Sequence, residues 1–120
     1  MQVDWNDSHK LQSLANECVD TAKDYMKARK LFSDAKTFLD LKVALAYKAG
    51  RLPKKASIDK AYCMILDEAI GTEEEAVVKK FFDDYTQQEN NYKGLEKVLD
   101  AQQSRISLFQ SLIKNQLKNT

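Results

Sequence analysis

Five cations crowd one short stretch of this chain. Lys42, Lys48, Arg51, Lys54 and Lys55 fall within residues 41–57, which hold no acidic residue. Long side chains of one sign around a turn suit the phosphates of a nucleic-acid backbone. Tyr47 lies among them, and an exposed ring there would stack on a base of a single strand. An ordinary solvated hairpin turn accounts for the same residues, because lysine near a helix C-terminus is favourable by itself. Composition leaves both readings open.

The chain carries 19 Lys+Arg against 18 Asp+Glu, so net charge points to no class of partner, but its distribution is uneven. Residues 41–66 sum to +5 and residues 67–84 to −5. Within the second segment Glu68, Glu73, Glu74, Glu75, Asp83 and Asp84 make an acidic surface. They suit a protein-docking patch, a complement to the basic turn of another subunit, or plain solvation at a helix start.

Other chemistry finds little support. There is no glycine-rich phosphate loop, no nucleophile motif and no His/carboxylate pair that helical spacing would bring together. Two cysteines, Cys18 and Cys63, and one histidine, His9, are too few for a standard zinc site. Two distant cysteines read as buried thiols, and His9 as an exposed polar residue. No enzyme, metal or cofactor is expected. No apolar run approaches the ~20 residues that cross a bilayer. The first ten residues lack the basic-then-apolar pattern of a signal. These features predict a soluble cytoplasmic protein.

The elements that position the basic stretch are helices. Apolar or small residues recur every three or four positions from Leu11 through Leu14, Cys18, Ala22, Tyr25, Ala28, Phe32 and Ala35 to Leu39. Asp7 or Ser8 is the expected cap, Gly50 the expected C-terminal stop, and Trp5 an anchor before the helix. Pro53 forces a turn. Ser57 caps a short helix with Ile58, Ala61, Tyr62, Ile65, Leu66 and Ala69 on its apolar face. Thr72 and Glu75 form a capping box for a third helix. That helix carries an unbroken three-four seam: Val78, Phe81, Tyr85, Gln88, Tyr92, Leu95, Leu99, Gln102, Ile106, Phe109, Ile113 and Gln116. The glutamines sit either buried in the seam, fixing register, or solvated at its edge. Residues 1–120 thus predict one all-α domain: a long antiparallel, coiled-coil-like hairpin of helices 8–49 and 73–117, with a short helix 58–70 at its tip.

A second apolar row, Val98, Ala101, Leu108 and Leu112, runs beside the third helix's seam. It makes that face wider than two helices need. The second helix is expected to cover Leu41 and Leu45 near the tip. Farther away only the first helix is available, and the competing reading is that Val19 and Met26, beside its main row, cover the whole face. The excess predicts a homo-oligomer.

The stretch Leu41 to Arg51, LKVALAYKAGR, resembles phage recombination mediator proteins of the UvsY type. Lys42, Tyr47, Gly50 and Arg51 match that pattern, while Ala44 stands where a second basic residue would. Leu99 to Lys114, with Ser104 to Ile106 at its centre, is similar to the family's later helix. The resemblance implies an oligomeric, single-stranded-DNA-binding viral protein that helps load a recombinase onto DNA coated by single-strand-binding protein. The recombinase or that binding protein would then be a further partner. The alternative reading is a small helical protein-interaction module or inhibitor directed at a host defence or nucleic-acid system.

Overall fold

In the computed structural model, residues 5–53 and 56–118 are described, with side chains from Ser8 onward. The chain is all-α: α1 spans Trp5–Lys48, α2 Ile58–Ala69 and α3 Glu75–Lys118. No residue between positions 5 and 8 breaks a helix, so α1 starts three residues before the expected boundary. Asp7 and Ser8 therefore lie inside its first turn and not at its cap. The Trp5 side chain and residues Lys54 and Lys55 lie outside what is described.

Local chemistry sets the helix ends. At the end of α1, Gly50 takes φ 73°, a conformation that side chains disfavour. Its N–H donates to Tyr47 O at 3.0 Å, and Arg51 N–H donates to Ala46 O at 2.9 Å. This paired pattern satisfies the last carbonyls of the helix. Ser57 Oγ accepts from Lys60 N–H at 3.3 Å, as its capping role requires. The start of α3 differs from the capping-box expectation. Thr72 Oγ1 accepts from Glu74 N–H at 3.2 Å. It also donates to Ala69 O at 2.6 Å, which ties α3 to the end of α2. Glu75 reaches back to Gly71 N–H at 3.4 Å, one residue beyond the position a box would use.

The chain divides into two compact units. The first, Ala28–Asn90, holds α2, the later half of α1 and the start of α3. Here α1 and α3 run antiparallel, with Phe32 stacked on Tyr85 at 5.4 Å and Phe38 on Phe81 at 4.2 Å. Leu39, Ala46, Ala61, Tyr62, Ile65, Ala69 and Val78 form one buried cluster with Leu52. Tyr62 lies edge-on against Tyr85 at 4.9 Å, and its hydroxyl donates to Asp40 Oδ1. The Tyr85 hydroxyl donates to Asp59 Oδ1 at 3.3 Å. Burial pushes both phenols above their ordinary pKa, and the neighbouring carboxylates add to it. Two expectations fail in this unit. Leu41 and Leu45 stay 59% and 50% exposed, because α2 packs over Val43, Ala46 and Tyr47 instead. Ile58, at the first position of α2, is exposed and outside the apolar face.

The second unit, Met1–Lys27 with Asn91–Thr120, is a two-helix segment. Tyr25 meets Tyr92 edge-on at 6.2 Å. Every described seam residue is half-buried and none is fully enclosed, since two helices shield each other from one side only. The seam glutamines Gln102 and Gln116 are half-buried too. Their Oε1 atoms are buried without a hydrogen-bond partner, so these glutamines are seam residues and not edge residues. Val19 and Met26 are 52% and 69% exposed, so they do not cover the wide face of α3. Cys18 is half-buried on the seam of α1, whereas Cys63 is exposed on α2, against the expectation of a buried thiol.

Candidate nucleic-acid interface

The last turns of α1, the turn after it, the end of α2 and the start of α3 build the region around the basic stretch. Lys42 and Arg51 come together on a cleft of about 420 Å³. Ile65, Ala69 and Val78 supply its apolar part, and Glu68, Glu73 and Glu74 its acidic part. Each cation has a carboxylate. Lys42 Nζ donates to both oxygens of Glu74, at 2.8 and 2.9 Å. It also lies 5.7 Å from the centre of the Phe38 ring. Arg51 Nη1 donates to Glu68 Oε2 at 2.9 Å.

The two pairs differ in what they leave open. The Lys42 side chain is only 25% exposed and its ammonium sits over the Phe38 ring as well as on Glu74, so it pins α1 to the start of α3. The Arg51 side chain is 53% exposed on a turn, where an ion pair is weak and readily exchanged. Lys48 is exposed in the last turn of α1, and no described carboxylate pairs with it. Tyr47 is half-buried against the core cluster, so its ring is committed to packing and does not serve as an open stacking platform. Lys54 and Lys55 fall outside the described residues. Of the four described positions among those expected to hold nucleic acid, Lys48 and Arg51 are thus the ones presented outward.

The pairing of the basic and acidic blocks within one chain was not anticipated. Its signal was the adjacency of the +5 and −5 segments, which the turns on either side of α2 fold onto each other. The second expected interface lies on α3. Val98, Leu108 and Leu112 are 47%, 62% and 51% exposed, and Ala101 is exposed beside them. Among the described residues no cluster of His, Cys, Asp and Glu could hold a metal ion. No described helix is long and apolar enough to cross a membrane. No family model, curated protein or solved structure matches this chain.

Proposed function

We propose that this chain is a self-associating helical accessory protein that holds the backbone of single-stranded DNA at the turn after α1. The proposed task, assisting recombinase loading, comes from the resemblance of residues 41–51 and 99–114 to the phage mediators. The observation that carries the DNA reading is the outward presentation of Lys48 and Arg51 on a segment with no acidic residue of its own. A backbone phosphate would replace Glu68 on Arg51, exchanging one weak surface pair for another. One turn offers few contacts, so a single chain binds weakly, and association of chains raises avidity.

The test is anisotropy of a labelled single-stranded oligonucleotide at low salt. Wild type binds, and Lys48→Glu with Arg51→Glu abolishes binding while helicity is retained. Equal binding by wild type and the double variant would remove the turn from consideration.

A second reading, a protein-interaction module or inhibitor, is favoured by the neutralisation of Lys42 and Arg51 and by the exposed apolar row of α3. It predicts that no oligonucleotide competes with the protein partner.

A further inference from the structure

The exposed face of α3 has an internal order that one chain does not use. Gly94, Val98, Ala101, Arg105, Leu108 and Leu112 each stand one position before a seam residue, so they form one row flanking the seam. All six are exposed. On the other flank, one position after the seam, stand Glu96, Asp100, Gln103, Ser107, Gln110 and Lys114, and none of these is apolar. Only one side of this helix is therefore built to be covered.

Gly94 sharpens the point. Glycine inside a helix costs roughly 1 kcal/mol against alanine. A methyl group added at Gly94 would meet nothing within 4 Å, so packing within the chain does not require it.

The row is complementary to its own reverse. Laid antiparallel about a two-fold axis at residue 103, Gly94 faces Leu112 of a second copy, Val98 faces Leu108, and Ala101 faces Arg105. Gly94 and Ala101, the two smallest residues, each meet a long side chain, and Val98 meets Leu108. A two-fold interface demands this self-complementarity, in which residue i contacts j and j contacts i. The Arg105 stem would lie over the small Ala101 with its guanidinium at the rim.

We infer that α3 docks antiparallel on α3 of a second copy of this chain through this row, with the two-fold at residue 103. The inference rests on the self-association proposed above and adds the partner's direction and register. A row of six side chains on one helix is small beside the ~20–30 residues a side of a standard interface, so the dimer is weak. Its two central arginines repel each other across the axis. Added salt therefore strengthens this dimer, whereas it weakens DNA binding.

Disulfide trapping tests the register in a background with Cys18→Ala and Cys63→Ser. Under mild oxidation, a mixture of the Val98→Cys and Leu108→Cys proteins should give a cross-linked dimer. Each protein alone should not, because its own thiols lie ten residues apart along the helices, about 15 Å. Sedimentation of the full chain is the companion measurement. Leu108→Asp with Leu112→Asp should raise the dimer dissociation constant by roughly ten-fold or more, with the circular dichroism unchanged. Association without the mixed cross-link, or with Val98→Cys linking to itself, overturns the antiparallel register and leaves self-association standing. A strictly monomeric wild type at hundreds of micromolar overturns both.

Discussion

Tyr62 is where α2 is held to both long helices, and its removal tests the fold around the basic turn. It is 1% exposed, lies edge-on against Tyr85 at 4.9 Å, and donates its hydroxyl to Asp40. Tyr62→Phe keeps the ring and removes the hydrogen bond. Asp40 is half-exposed and keeps Lys36 at 3.3 Å, so water and lysine satisfy the freed carboxylate. The expected loss is therefore at the low end for a charged acceptor, about 1.5 kcal/mol. Tyr62→Ala also removes a buried ring and leaves a cavity, for a loss of about 4 kcal/mol. That is a large share of the ~5–15 kcal/mol that holds an ordinary domain folded. Urea unfolding followed by circular dichroism reads both values.

The pH dependence gives a second reading of the same contact. The folded phenol of Tyr62 titrates above its unfolded value of about 10. Its contribution is fully present below pH ~10 and is lost as pH rises through the folded value. Wild type should therefore lose more stability than Tyr62→Phe between pH ~9 and ~11. If Tyr62→Phe matched wild type in urea and showed the same alkaline loss, the Tyr62–Asp40 contact would contribute nothing. If Tyr62→Ala cost under about 1 kcal/mol, α2 would not be seated as described.

Two further perturbations separate structural cations from available ones and probe the seam. A double-mutant cycle on Lys42 and Glu74, each changed to alanine, should give a coupling of about 0.5–1 kcal/mol, and the Arg51–Glu68 cycle less, because Arg51 is the more exposed cation. Equal couplings would remove the distinction between them. Gln102→Leu should raise the unfolding midpoint by an amount worth about 1 kcal/mol, since it replaces a buried, unpartnered oxygen with apolar volume; a lower midpoint would mean that the oxygen has a partner.

Much of the architecture was legible from periodicity. Helix boundaries agree within three residues, and every predicted seam position of α3 is buried or half-buried. Gly50 and Ser57 could be placed because stop and cap roles depend on local chemistry alone. What could not be read depended on contacts remote in sequence. Lys42 and Tyr47 belong to the same basic stretch as Lys48, yet α2 and the start of α3 draw Lys42 onto Glu74 and Tyr47 into the core. Periodicity placed Leu41 and Leu45 near α2 but could not say which flank of α1 it would cover. The wide face of α3 was visible as an apolar row. Its uncovered state became visible only once Val19 and Met26 proved to be exposed.

The central claim is that an exposed basic turn holds single-stranded DNA, and its salt dependence is the most direct test. Binding of a labelled oligonucleotide is measured from about 20 to 200 mM salt, for wild type and for Lys48→Glu. The account predicts a linear fall of log affinity with log salt. The slope should be roughly −0.7 per phosphate contact and should become shallower in the variant by about one contact. An affinity indifferent to salt, or the same slope in both proteins, would contradict it.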